Sequence, residues 1–368
     1  MKVCFVSPRL YLYQDPGSNQ PAGGAQRQQS MVAAQLRSRG YEMSAIVADY
    51  GQAAREVKDG IELVKGVPEK ISTWSVPEAL WNLARSMSSV SADVFVVGGA
   101  PRLATAVFAI SKLLRKKFIF RLVNDSDVQP SYLRRRYPQF FLPLYRLAVR
   151  YADAVMPQTK RQKSLLLEHF GVDAQQVPYG YDLPQEKEVW SQRDREYVLW
   201  VGSSDPDQKN PMSFVEISRG LPEYDFVMIS QPIAGMEDYH KSIREEAGKV
   251  RNLKFTGPVD PDKIHDYYRK AMMVVNTSGY EGFPNTFLEA WRYETPVVSL
   301  HFDLDGLLGE GCGGIKVGSM ESSCEVIDRV ASDVEYRESL GKRGRKYMRQ
   351  NLSMEKVSNL YEKIIISI

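Results

Sequence analysis

The sequence predicts an α/β chain of two Rossmann-like domains, each a parallel sheet with helices on both faces. Three observations carry this. Strand-length apolar runs alternate with helix-length amphipathic stretches, the succession that βαβ units require. The alternation halts in a polar stretch, Asp182 to Glu196, and then restarts. At 368 residues the chain also exceeds the length at which one hydrophobic core stops growing, so two cores are expected.

In order, 2–8 reads as a strand, 24–39 as a helix stopped by Gly40, and 43–48 and 93–97 as strands, the second running into Gly98-Gly99. A helix over 102–115, a strand over 117–123, a helix over 140–150, a strand over 152–157 and a helix over 160–170 complete a first domain, 1–180. The second, 181–350, has strands at 197–201, 225–230, 253–256, 272–276 and 296–299, with helices at 211–219, 239–249 and 261–269 between them. Substrates of such sheets bind at the carboxyl ends of the strands, so two facing domains would hold their ligands in the cleft between them.

Composition bounds the function. Hydrophobic content of 43% and charged content of 25% are those of a soluble globular protein. No apolar run approaches the length of a membrane span, and the apolar run before Ser7 is too short for a signal-peptide core, so a cytosolic location is expected. Cys4, Cys312 and Cys324 are odd in number and widely spaced, which fits reduced thiols. His169, His240, His265 and His301 stand at no metal-ligand spacing, and no metal or other cofactor is expected.

Charge is unevenly spread. Residues 1–180 hold 24 lysines and arginines against 14 acids, a net of +10, and the remainder holds 24 against 31, a net of −7. Arg134, Arg135, Arg136, Arg146 and Arg150, interleaved with Phe140, Phe141, Leu144, Tyr145 and Leu147, make 134–150 read as one basic amphipathic helix. Such a helix suits an anionic membrane surface at the inner membrane face; the alternative is a solvated face with its aromatics in the core. No recognition motif for nucleic acid accompanies the charge.

The most informative stretch is Gly279-Tyr280-Glu281-Gly282-Phe283-Pro284-Asn285-Thr286-Phe287-Leu288-Glu289. A buried strand ends in Thr277-Ser278-Gly279, and Pro284 suits the first position of a helix, where its missing N–H costs nothing. The free first-turn amides of that helix would face an anion arriving from the strand ends. Glu281 lies in the loop beside them, and Glu289 lies five residues past Pro284, about 7.5 Å along the helix axis. Two carboxylates so placed can hold hydroxyls on either side of a diphosphate. In the first domain Gly23-Gly24 opens a helix after a long loop, where glycines let a backbone approach a ligand closely, although this is no dinucleotide fingerprint.

With these residues the chain resembles the family-4 retaining glycosyltransferases, whose second domain carries two glutamates separated by seven residues, as Glu281 and Glu289 are. Three further pieces fall in the same order: Tyr179-Gly180-Tyr181-Asp182 is similar to the turn between the domains, Val201-Gly202 followed by Lys209-Asn210-Pro211 to the strand and lysine at the donor diphosphate, and Phe255-Thr256-Gly257-Pro258-Val259 to the turn approaching the nucleobase. The likeness is close over 179–350 and loose before it. It implies the GT-B fold, with final helices at 335–349 and 354–366 crossing back and 351–368 docking on the first domain. It implies that Glu281 contacts the transferred sugar, Glu289 the ribose and Lys209 the leaving phosphates. Gly23, Gly24, Gly202, Ser203, Val259, Gly282, Phe283, Pro284, Asn285 and Thr286 would line the donor. Ser203 stands where the family has an arginine, so the phosphate clamp needs completing, with Arg9, Arg27 or Arg121 as candidates. Where relatives place a histidine, this chain has Asn124-Asp125-Ser126-Asp127; Asn124, Arg121 and Arg27 are acceptor-side candidates and Asp125 a catalytic one. Asp303-Leu304-Asp305 has the form of a metal-binding D-x-D, in a turn composition.

The activity this implies is retaining hexosyl transfer from a UDP- or GDP-sugar to the hydroxyl of a sugar or lipid-linked sugar in polysaccharide or glycolipid assembly. It would use no metal, with Lys209, Glu281 and Asp125 at the reaction centre. A nucleotide-sugar epimerase of the same architecture and a non-catalytic sugar-nucleotide-binding protein are the alternatives. The scarcity of histidine in the first half weighs against the former, and Lys209, Glu281 and Glu289 together against the latter.

Overall fold

Residues 1–14, 24–67, 76–260 and 263–368 are described in a computed structural model. They divide into two units, 1–180 with 354–368, and 181–353. Each is built on its own sheet.

The first unit runs β1 (Lys2–Val6), α1 (Leu10–Gln14), α2 (Gly24–Ser38), β2 (Glu42–Ala48), β3 (Arg55–Lys58), β4 (Ile61–Val67), α3 (Val76–Val90), β5 (Val94–Gly98), α4 (Pro101–Leu113), β6 (Lys117–Arg121), α5 (Pro130–Arg136), α6 (Phe141–Arg150), β7 (Ala154–Met156) and α7 (Lys160–Phe170). Its sheet order is β3-β4-β2-β1-β5-β6-β7, and only the β3–β4 pair is antiparallel. Strand side chains alternate between faces. Cys4, Val6, Phe95, Phe118 and Phe120 meet α3 to α7 on one side, and Val3, Phe5, Val94, Val96 and Ile119 meet α1 and α2 on the other.

The second unit runs β8 (Tyr197–Ser203), α8 (Pro211–Gly220), β9 (Phe226–Gln231), α9 (Glu237–Gly248), β10 (Leu253–Phe255), α10 (Ile264–Lys270), β11 (Ala271–Asn276), α11 (Asn285–Trp291), β12 (Val297–Ser299), β13 (Gly314–Lys316), α12 (Met320–Ser332) and α13 (Val334–Asn351). Its order, β10-β9-β8-β11-β12-β13, is wholly parallel. The last helix, α14 (Met354–Ser367), lies with the first unit, where Met354, Val357, Tyr361 and Ile365 pack against the α2 face. Helix α13 stays in the second unit instead of crossing back, because Leu340 is in that core and Gly344 lies against the buried Trp291.

Two of the differences from the sequence expectation have local causes. The hairpin β3–β4 was not anticipated, yet Asp59-Gly60 carries its signal: both residues have positive φ (50° and 73°), as a two-residue turn between paired Lys58 and Ile61 requires. Helix α3 was also not anticipated. The single basic helix expected over 134–150 is two helices, since Pro138 drives Tyr137 into the extended region (φ −124°, ψ 146°) and ends α5. Pro143 is tolerated in α6 because it falls in the first turn. Gly23 and Pro261 lie outside the described residues.

A Cβ at Gly341 in α13 would stand 2.0 Å from the carbonyl oxygen of Glu294, a backbone atom that cannot step aside cheaply. Gly341→Ala is therefore expected to destabilise the fold by about 1–3 kcal/mol and lower a calorimetric transition of the full chain by several degrees. An unchanged thermogram would show that the helix can shift.

Candidate functional site

Strands β8 and β11 are neighbours, and β9 continues the sheet on the other side of β8. The chain order reverses there, which is where parallel sheets open a crevice at their carboxyl ends. Two loops leave those ends and are tied together. After β8, the Asp205 carboxylate accepts the amides of Asp207 (3.0 Å) and Gln208 (2.8 Å), while its carbonyl accepts those of Lys209 and Asn210 (both 3.0 Å). After β11, the Gly279 amide donates to the Gln208 carbonyl (3.0 Å) and the Thr277 hydroxyl to the Lys209 carbonyl (2.6 Å). The Trp200 indole donates in turn to the Thr277 hydroxyl (2.9 Å), and Gly202 is needed because a Cβ there would lie 2.7 Å from that indole.

This lacing brings Lys209 and Glu281 together from 72 residues apart. The ammonium is paired with Oε1 of Glu281, which also accepts the Ser278 hydroxyl (2.7 Å), and the Gln208 amide reaches Oε2 at 3.4 Å. Glu281 is only 6% exposed, so its charge is held by these partners instead of water. Ser278 is itself set by the Asn276 carboxamide, which accepts the Ser278 amide at 3.1 Å and the Ser299 hydroxyl at 3.2 Å. Gly282, Phe283 and Pro284 are buried behind Glu281, with Pro284 as the cap of α11, one place earlier than expected.

Glu289 projects from α11 and is 4% exposed. Its Oε2 accepts Arg292 Nη1 (3.2 Å) and lies 3.5 Å from His265 Nδ1 of α10. The Arg292 guanidinium also lies over the rings of Tyr181 (5.8 Å) and Tyr293 (5.3 Å), and the Tyr181 hydroxyl donates to Asn285 Oδ1 (3.0 Å). Neither His265 nor Arg292 was singled out from sequence. Arg292 had a signal, its i, i+3 spacing from Glu289; His265 had none, because only packing of α10 on α11 brings it there. Ser203 ends β8, Thr286 is half-buried in α11, and Val259 is half-buried in the loop after β10. Asp303 of the D-x-D is occupied with the amides of Leu308 (2.9 Å) and Gly309 (3.1 Å), a turn cap.

In the first unit, Asn124 and Asp125 follow β6 in a short 3-10 turn. Asp125 pairs with Arg161 (2.7 Å). Asp127, not singled out beforehand, is the buried member: its carboxylate accepts the amides of Val123 (2.8 Å) and Asn124 (3.0 Å), and the Tyr145 hydroxyl donates to its carbonyl (2.7 Å). Burial pushes its pKa up from 3.8 to about 6, against those two amides. Arg121 is 4% exposed, between the rings of Tyr179 (5.0 Å) and Tyr361 (5.3 Å), with Nη2 donating to the Pro178 carbonyl (3.3 Å). Gly24 is the first residue of α2, Arg27 lies one turn on, and Arg9 is exposed after β1.

Two family descriptions match the chain in the order of its units: Glycosyl transferase 4-like domain over residues 23–180, and Glycosyl transferases group 1 over 195–333. The chain belongs to the family-4 type of glycosyltransferase. Its fold agrees. Sucrose-phosphate synthase from Thermosynechococcus elongatus superposes with a TM-score of 0.79 at 17% identity over 100% of both chains, and Anabaena Alr3699/HepE in complex with UDP-glucose with 0.75 at 15%, again over 100% of both. Among curated proteins, alpha-galactosylglucosyldiacylglycerol synthase of Streptococcus pneumoniae is 27% identical over 161 residues, 41% of this chain and 42% of that protein. The matched stretches span about half the length of the curated relatives. Among the described residues, no helix of this glycosyltransferase is long and apolar enough to cross a membrane.

The buried Asp127 makes the stability of the fold depend on pH. Its folded pKa stands above the unfolded value, so its contribution is fully present below about pH 4 and is lost as pH rises through about 6. The loss amounts to about 3 kcal/mol at most, at 1.36 kcal/mol per pKa unit. Asp127→Asn, which keeps an oxygen for the two amides, is expected to gain stability on the wild type across that window, as read by denaturant midpoints. Parallel midpoints for the two proteins at all pH values would refute it.

Proposed function

We propose that the chain transfers a glycosyl group from a nucleotide sugar to an acceptor hydroxyl, with retention at the anomeric carbon and without a metal ion. The observation that carries this is the Lys209–Glu281 pair at the carboxyl ends of β8 and β11, with the buried Glu289 on the helix that follows. Without donor, the lysine and the carboxylate satisfy one another. A nucleotide sugar offers both a replacement at once: phosphate oxygens for Lys209 and a sugar hydroxyl for Glu281. Glu289, steadied by Arg292, would take the ribose hydroxyls.

In the step itself, the acceptor hydroxyl attacks the anomeric carbon from the face that the diphosphate leaves. The new C–O bond forms as the old one to the phosphate breaks, and the acceptor proton passes to the departing phosphate oxygen. Catalysis then rests on cation and dipole placed where negative charge grows. Lys209 would be the cation that does this, and Ser203 would add at most a neutral hydrogen bond. UDP is the favoured nucleotide, because Anabaena Alr3699/HepE, one of the solved relatives, is described in complex with UDP and UDP-glucose. For the acceptor, a sugar or lipid-linked sugar at the inner membrane face is the reading that the basic first half favours, with Asn124 and Asp125 on the acceptor side. An epimerase has no observation of its own in support, and a non-catalytic binder has only Ser203 in place of the family's arginine.

Thermal unfolding with UDP, GDP and ADP, with and without EDTA, tests the donor. At one hundred times Kd a ligand stabilises by about 2.7 kcal/mol, a shift of several degrees. The expected result is a shift selective for UDP, indifferent to EDTA and absent in Glu289→Ala; no shift with any nucleotide would overturn the reading. Lys209→Ala is expected to lower kcat by roughly two to three orders of magnitude, as loss of about 2.7–4 kcal/mol of transition-state stabilisation implies. A rise in KM at unchanged kcat would reduce Lys209 to a binding residue.

A further inference from the structure

We propose that the outward face of α5 and α6 docks on an anionic lipid bilayer. Phe140, Leu144, Leu147 and Tyr151 recur at helical spacing, so they share one face, and they are 78, 56, 49 and 64% exposed. The other side of α6, with Tyr145, Ala148 and Val149, is in the core. Four large apolar side chains aligned on one helix face differ from the scattered exposure of an ordinary surface.

The charge around this stripe has one sign. Residues 128–152 contain Arg134, Arg135, Arg136, Arg146 and Arg150 and no acid. Arg134 donates to the Pro130 carbonyl, and Arg146 donates to the His169 carbonyl and lies over the Phe170 ring, contacts that leave the charges unneutralised. Acids on the neighbouring elements have other cations: Asp125 has Arg161, Asp153 has Lys112 and Lys117, and Asp173 has Lys163. Glu168 of α7 faces outward beside His169, with Lys160, Arg161 and Lys163 on the same helix.

An apolar stripe framed by long cationic side chains fits the boundary between headgroups and acyl chains: the rings and leucines enter, and the guanidiniums stay with the phosphates. A nucleic acid would engage the arginines and leave the four apolar side chains in water, and a second copy of this chain would bring the same positive charge against them. The bilayer uses both features. This docking shares the basic first half with the reading of the acceptor, but it needs neither donor nor acceptor, so its failure would leave glycosyl transfer standing.

Co-sedimentation of the full chain with phosphatidylglycerol vesicles, and with phosphatidylcholine vesicles of equal size, tests it. Binding to the anionic vesicles is expected, weakening as salt is raised. Each arginine near the surface is worth about 1 kcal/mol, so Arg134→Gln with Arg135→Gln and Arg136→Gln together should weaken partitioning roughly a hundredfold. Phe140→Ser with Leu144→Ser and Leu147→Ser should weaken it at least roughly tenfold even at low salt. Should a multiple variant fold poorly, Leu144→Trp gives a second reading: quenching by brominated phosphatidylglycerol acyl chains is expected. Equal partitioning onto both vesicle types, indifference to both sets of substitutions, or an unquenched Trp would overturn the proposal. So would salt-sensitive DNA binding, or self-association abolished by the serine variants, in a chain that ignores vesicles.

Discussion

A carboxylate buried beside a lysine organises the second unit's site. Glu281 is withdrawn from water, and an ionised carboxylate there is tolerable only if cation and hydrogen-bond donors surround it. Lys209, Ser278 and Gln208 provide them, and all three depend on backbone ties between the two loops. Those ties in turn require β8 and β11 to be adjacent, which the sheet order secures. The chemistry therefore reaches down to strand order: a sheet with these strands separated would leave a buried charge unmatched.

The proposed reaction demands that this self-sufficient pair be exchangeable. A pair between two loops, one member partly exposed, can open for a ligand that replaces both halves. By contrast, Arg195 in the same unit is a fixed brace: its buried guanidinium donates to four carbonyls and to the Thr295 hydroxyl. Burial lowers its pKa to about 10, which still leaves it charged at neutral pH. Its two terminal nitrogens, committed in five directions, hold loops together.

The first unit spends its buried polar groups differently. Asp127 ties the turn after β6 to α6 through its own backbone and side chain, so α6 is fixed from the core side by Tyr145 and its other face is left to solvent. Arg121 braces the segment at Pro178–Tyr179 against α14, where Gln28 also holds Gly180 through both its amide and its carbonyl (3.1 and 2.9 Å). The end of the first unit is thus fastened by residues from three distant parts of the chain.

Much of the fold was legible because burial repeats at the periods of strand and helix: α7 fell on 160–170 as expected, and most other boundaries within a few residues. Glu281 and Glu289 were visible because a strand-to-helix junction with two spaced acids is a local pattern, and Lys209 because its segment is similar to the family's donor-binding strand and loop. What stayed hidden was non-local or outweighed. The β3–β4 hairpin had its Asp59-Gly60 signal, and the break at Pro138 was masked by a charge pattern that ran across it. The sequence by itself determined which residues form most of the βαβ succession, since local sterics and periodicity settle those, and its likeness to the family singled out Lys209, Glu281 and Glu289. Only the tertiary structure decided that Lys209 neutralises Glu281, that His265 and Arg292 flank Glu289, and which side of α6 faces water, because each depends on packing between elements far apart in the chain.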